Sequence, residues 1–279
     1  MRGTAALLVV VFHLLKDFNT ANPLRHAYLA VDFFFLLSGF VVGYAYDARW
    51  STLRIRDFFR LRLVHLHPMV LLAVAIGLAC YWFDSYVDHR LIGPRYLLAM
   101  VALGALLLPA SPLPNHYGET HSLNGPCWSL FQEYLANVVY AFVGPRLGPR
   151  VLAGVMGVAA AALVATALSH GHLQGGWNWD TFWIAPVRVT FPLFAGLLVF
   201  RSGWRVRLRW AYPLLSGGLL VLFTAPAFQP AAYYEAFCVA VVFPMVVAAG
   251  AGSGRAPRAT TASKYRGPMR RWSTCEPNQ

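Results

Sequence analysis

Lysine is all but missing from this chain: among 279 residues it occurs only at Lys16 and Lys264. Charge of any sign is scarce, at 12% of residues, while 58% are hydrophobic. Soluble domains carry roughly 25% charged residues, and no soluble core could hide this much apolar surface. A soluble globular domain is therefore excluded. The four cysteines, Cys80, Cys127, Cys238 and Cys275, show no paired spacing, which leaves neither a disulfide framework nor a zinc site to be read. No G-x-S-x-G turn occurs, so a serine nucleophile on an elbow is not indicated. Strict alternation of apolar and polar residues is also missing, which removes a membrane β-barrel.

What the chain does have is arginine and long apolar runs. The net charge of +12 would suit a nucleic-acid partner, but most of the basic residues lie in short loops between apolar stretches. That is how topology-setting loops look, not a basic groove with stacked aromatics, and no nucleic acid is expected.

Nine apolar stretches run approximately over 3–15, 27–46, 64–83, 91–110, 128–143, 151–168, 183–200, 211–225 and 233–250. A helix needs about 20 residues to cross a bilayer. The fold class expected is an all-α polytopic transmembrane bundle of about eight or nine helices. Residues 1–15 resemble a signal peptide in length, but no A-x-A-like site follows and further spans do, so they read as a first span.

Arg49, Arg54, Arg56, Arg60 and Arg62 place the 47–63 loop in the cytoplasm. Arg201, Arg205, Arg207 and Arg209 ask for the same side, yet nine simple crossings put them opposite. One stretch, 91–110 or 128–143, is therefore expected to be re-entrant or interfacial. Residues 1–250 read as one membrane domain. Residues 251–279 are polar, basic and rich in Pro and Gly, and are expected to be a disordered tail.

An ionisable residue inside a span is a functional candidate by default. His13, Asp32, Glu133 and Arg188 qualify, with Arg2 at the membrane edge. Eleven residues separate Arg2 from His13, about 16 Å of helical rise and nearly three whole turns. Both side chains then share one face of a helix. Arg2 could hold phosphate at the cytoplasmic mouth, and His13 could take a proton from an acceptor hydroxyl. The same two residues also have a purely structural reading, as a positive-inside anchor and an interhelical hydrogen bond. Asp32 and Glu133 could each orient an imidazole or pair with Arg188, and a structural ion pair is favoured for Asp32 and Arg188. Ser38 and Gly39 read as a close helix-packing patch, Trp128 as an interfacial anchor and Ser129 as a helix cap. In FFRLRLVHLHPM, residues 58–69, Arg60 and Arg62 could meet a nucleotide. His65 and His67 are two apart, unlike a zinc pair on a helix, and no metal is expected.

These blocks, taken in order, resemble the acyltransferase 3 family of multi-spanning membrane acyltransferases, which includes O-antigen and exopolysaccharide O-acetylases. RGTAALLVVVFH, residues 2–13, resembles its first-helix signature, and AYLAVDFFFLLSGFVVGYAYDARW, residues 27–50, its second helix. FFRLRLVHLHPM resembles its Arg-rich third helix, with His65 where an Arg is usual. NGPCWSLFQEYLANVVYAF, residues 124–142, resembles its W-S-L block, and RVTFPLFAGLLVFR, residues 188–201, a later helix. The resemblance implies a cytoplasmic acyl-CoA donor, usually acetyl-CoA, with no permanently bound cofactor. It implies a glycan or other hydroxyl acceptor and a multi-pass protein of a bacterial inner membrane. By it, His13 and Glu133 match catalytic positions, and Arg2, Arg60 and Arg62 match donor-binding ones; Asp32, Trp128, Ser129 and Arg188 remain structural or substrate-path candidates. The family closes with a helix carrying an S-Y and a later His, where this chain has its polar tail. The expectation is a domain lacking that helix and truncated at both ends. The competing expectations are a transporter or flippase with Asp32, Glu133 and Arg188 along its path, and an inactive acyltransferase remnant.

Overall fold

The computed structural model describes residues 1–17, 22–83, 92–113, 117–228 and 230–253. The described residues form nine principal helices: α1 (Arg2–Asp17), α2 (Ala30–Tyr46), α3 (Ile55–Phe83), α4 (Pro94–Ala105), α5 (Cys127–Phe142), α6 (Pro149–His170), α7 (Ile184–Arg201), α8 (Ala211–Phe223) and α9 (Ala231–Ser253). Local signals set several ends. Pro94 and Pro149 each open a helix after an extended glycine, where a missing N–H costs nothing and φ is already helical. Gly171, at φ 77°, closes α6 in the left-handed conformation that only glycine adopts freely.

Five helical segments are long and apolar enough to cross a membrane, and the protein is a multi-pass integral membrane protein. At its centre α2 packs on α7. A Cβ on Gly39 would lie 1.9 Å from the Leu193 carbonyl oxygen, and one on Gly196 would lie 1.9 Å from that of Leu36. The two glycines thus let the backbones touch, a packing that lipid-embedded helices favour because it gains dispersion contact. Phe33 and Leu36 of α2, Phe191 and Ala195 of α7, Leu163 of α6 and Phe243 of α9 form the core around this pair. A π-helical turn over Cys238–Val242 interrupts α9. It absorbs one residue, so Glu235 and Phe243 share the buried face instead of standing about 80° apart.

Helix α3 is peripheral. Only 11% of its apolar window is buried, and Leu63, Val64, Leu71 and Leu72 are exposed, as lipid-facing residues should be. Helix α4 does not cross. Its 12 residues rise about 18 Å; the Tyr96 hydroxyl donates to the Pro112 carbonyl at 3.1 Å, and Gly104 stands against Val74. The chain goes in along α4 and returns on the same side.

That excursion resolves the orientation conflict. Arg201 at the end of α7 binds Asp47 at the end of α2, with Nε to Oδ2 at 2.6 Å, and also takes the Leu147 and Gly144 carbonyls at 2.9 and 3.0 Å. The loops at 47–54, 143–148 and 202–210 therefore lie at one end, here the inner end. Arg49, Arg54, Arg56, Arg60, Arg146, Arg150, Arg205, Arg207 and Arg209 gather there, against Lys16, Arg25 and Arg95 at the outer end. Helix α9 runs through Ser253, three residues into the expected tail; residues 254–279 lie outside the described residues.

Candidate active site

The Arg-rich start of α3 faces the inner half of α5 across a cleft of about 450 Å³, lined by Arg56, Phe59, Arg60, Arg62, Leu63, Tyr134 and Asn137. Arg56 and Arg60 are exposed at its mouth. Arg62 is half-buried. Its guanidinium stands 5.6 Å from the Tyr46 ring centroid and 6.0 Å from that of Phe58, yet its buried Nε and Nη2 have no hydrogen-bond partner among the described residues. A buried cationic donor left unmet is costly, so an added hydrogen-bond acceptor would be favoured there. Further along, the Tyr134 hydroxyl and His67 Nδ1 are also buried without partners, the two rings meeting edge-on at 6.5 Å. His65 is exposed, so the two α3 imidazoles do not converge as metal ligands would. On α5 beside Tyr134, the Glu133 carboxylate accepts a 2.8 Å hydrogen bond from Ser38 Oγ. Gly39 does pack closely, as its place beside Ser38 suggests, but Ser38 ties α2 to the acid.

The outer end is built differently. Arg188 and Asp32 are 2% and 0% exposed and form a two-point ion pair, Nε to Oδ1 at 3.1 Å and Nη2 to Oδ2 at 2.5 Å. Nη1 donates to the Gly175 carbonyl at 2.7 Å, and Nη2 also to that of Tyr28 at 3.2 Å. The Trp128 ring covers the guanidinium at 5.5 Å; it is buried over the ion pair and does not anchor at a membrane interface. Ser129 donates to the Pro126 carbonyl at 2.9 Å, so its hydroxyl does not cap α5, where an acceptor for a free N–H is required.

Next to this pair, Glu235 is fully buried. It accepts from the Tyr28 hydroxyl and, at 2.5 Å, from the Leu173 backbone N–H, with His26 Nδ1 3.5 Å away. In the loop before α5, His121 is buried with Nε2 unpartnered, and that burial holds its imidazole below the ordinary histidine value.

Arg2 and His13 are both exposed on α1. They share a face as their spacing implies, but the imidazole is at the bundle surface and not inside it. Arg2 is at the inner end. His13 is near the outer one, where the Phe12 carbonyl accepts from Asn22 at 3.0 Å and Lys16 stands 5.7 Å from Trp177. The fold thus brings Arg60 and Arg62 together with Tyr134, and Asp32 with Arg188 and Trp128, and holds His13 apart from the inner cleft.

Comparison with known proteins gives the family of the chain. A family described as "Acyltransferase domain" matches residues 1–266, almost the whole chain. The chain belongs to this acyltransferase family. It is also 36% identical over 178 residues, covering 60% of this chain and 91% of the relative, to "Protein 2 in picA locus" of Rhizobium radiobacter. No solved structure matches.

Glu235, Tyr28, His26 and Tyr134 are polar groups inside the bundle that the residue patterns did not single out, and His67 was weighed there only as half of a metal pair. Glu235 carried a usable signal, being a lone carboxylate in the 233–250 apolar stretch. Tyr28 and Tyr134 carried none: what marks them is the partner each has or lacks across the bundle.

Proposed function

We propose that this acyltransferase moves an acyl group, acetyl in the first instance, from acyl-CoA to a hydroxyl of a cell-envelope or secreted glycan. The reading places it in a bacterial inner membrane with its Arg-rich end in the cytoplasm. The observation that carries it is Arg62, whose buried and unmet guanidinium N–H groups face a 450 Å³ cleft at the end of the bundle where positive loops belong. Guanidinium is the group best matched to phosphate. Arg62 and Arg60 hold the donor's phosphates, with Arg2 at the same end of the bundle but outside the cleft lining. The thioester arm extends toward the bundle centre, where Ser38 steadies Glu133.

General-base catalysis is the role that the first-helix resemblance gives His13. Because the fold holds that exposed imidazole apart from the cleft, the role requires the thioester to pass from the cleft to the outer half of α1. The imidazole takes the acceptor hydroxyl proton as that oxygen attacks the thioester carbonyl. The ester C–O bond forms, the C–S bond breaks, and the departing thiolate recovers the proton as the free thiol of CoA. The exposed face of α1 suits an acceptor arriving from the outer side or through lipid. Asp32 and Arg188 are occupied by one another, which removes two of the three charges a transport path through this bundle would use.

The test is expression of the gene with mass analysis of envelope polysaccharide. An added acetyl group is expected with the wild-type chain. Loss of about 10²–10⁴-fold in rate is expected for His13→Ala. Near-normal turnover by a correctly inserted His13→Ala protein removes His13 as the base, and no acyl transfer by the wild type removes the reading.

A further inference from the structure

Tyr134 and His67 have no part in the acid, base or phosphate roles above, yet their polar atoms are buried and unmet beside the same cleft. We propose that they form the second half of the donor site and bind the amide-bearing pantetheine arm of acyl-CoA. This rests on the donor reading just given and assigns how the donor lies in the cleft.

The argument begins with depth. Helix α3 carries Arg56 and Arg60 at the exposed mouth, Arg62 half-buried, and His67 five residues beyond Arg62, about 7.5 Å further into the bundle. Helix α5 runs the other way, so Asn137 stands nearer the mouth and Tyr134 about 4.5 Å deeper. Both line the cleft. Asn137 is already engaged, its amide donating to the Glu133 carbonyl at 2.8 Å. The cleft is thus graded, with arginines outside and a phenol and an imidazole inside.

That gradient orients a ligand. A phosphate carried past the arginines would lose its charge partners in a low-dielectric site, which is costly. The part of the ligand reaching Tyr134 and His67 must therefore be uncharged, and it must hydrogen-bond or the two groups stay unsatisfied. A tyrosine hydroxyl donates or accepts, and a histidine Nδ1 does either according to tautomer. Together they match the N–H and C=O of an amide. Behind them lies Glu133, held by Ser38 at 2.8 Å, so an arm seated this way carries its thioester toward the acid and away from the mouth.

The experiment compares two ligands on purified protein in nanodiscs: acetyl-CoA, and adenosine 3′,5′-bisphosphate, which keeps phosphates but lacks the arm. Tyr134→Phe and His67→Leu are expected to weaken acetyl-CoA about tenfold each, the size of one good hydrogen bond, and to change bisphosphate affinity less than about twofold. His67→Asn, which restores a polar atom, should recover most of the loss. Arg62→Ala should weaken both ligands. Unchanged bisphosphate binding shows that a variant is folded, so the ratio of the two affinities reports the arm alone. The proposal is overturned if Tyr134→Phe and His67→Leu weaken neither ligand, as when water alone fills the site, or weaken both equally. Wild-type protein that binds no acetyl-CoA, or binds it regardless of Arg62, overturns the donor reading and this assignment with it.

Discussion

Arg188 and Arg62 are both arginines turned inward from helices of one bundle, and they sit in opposite situations. At the outer end every donor-bearing nitrogen of Arg188 has an acceptor: Asp32, the Gly175 carbonyl and the Tyr28 carbonyl. At the inner end two of the three Arg62 nitrogens are buried with none. A buried charge is tolerated when paired and hydrogen-bonded and is expensive otherwise. The first arrangement closes on itself and ties α2, α7 and the 171–178 segment together. The second is complete only with something added. Satisfaction of donors, more than burial or charge, separates the arginine that holds the fold from the one proposed to hold a ligand.

The sharpest way to break that contrast is at Arg188. Arg188→Met leaves the Asp32 carboxylate buried and uncompensated, and removing one member of a buried pair costs about 3–5 kcal/mol. Detergent-solubilised Arg188→Met should show a collapsed yield of monodisperse protein. The double replacement Asp32→Leu with Arg188→Met should recover much of it, since two apolar groups leave no stranded charge. A single variant as stable as wild type would show that the outer network does not hold the bundle.

Arg201 offers an intermediate case. It is also fully engaged, by Asp47, Gly144 and Leu147, but its side chain and that of Asp47 are each 18% exposed. Water can replace part of what is lost. Arg201→Gln is therefore expected to cost about 1–2 kcal/mol, less than Arg188→Met. Thermal unfolding of the two variants side by side measures the order, and a larger loss at Arg201 would reverse the role given to burial.

How much of this was legible beforehand depends on range. The apolar runs located most helices to within a few residues, because a bilayer-spanning helix needs only local composition. Helix α3 is the exception, beginning at Ile55 and not near residue 64, because its first turns carry the arginines that read as loop. The Asp32–Arg188 pair was readable because two opposite charges in apolar stretches have few ways to be satisfied. The non-crossing segment at 91–110 was one of two offered by the loop charges; the Tyr96–Pro112 contact and the Asp47–Arg201 pair chose it. The unmet state of Arg62, His67 and Tyr134 was not legible. It depends on what α5 fails to offer α3, and no spacing along the chain records a missing partner. For His13 the helical spacing gave its shared face with Arg2, but not its exposure, which depends on which helices pack against that face.

The smallest stability change is expected at Arg62 itself, and it is the most telling of the three. Arg62→Ala removes two buried donors that have no acceptor, which relieves a penalty, and it removes the packing of the guanidinium on Tyr46 and Phe58, worth about 0.5–1 kcal/mol per cation–π contact at exposed sites. The two oppose each other. The net change should stay within about 1 kcal/mol, or roughly 2–4 °C in melting temperature for a domain of this size. Ligand then separates the variants. Acetyl-CoA at about a hundred times its dissociation constant should stabilise the wild-type protein by about 2.7 kcal/mol, and at the same concentration should barely move Arg62→Ala. Arg201→Gln, weakened in the fold but not in the cleft, should keep the full ligand-induced rise. If instead Arg62→Ala melts as early as Arg188→Met, Arg62 belongs to the fold, and the distinction between met and unmet donors fails where it was drawn most clearly.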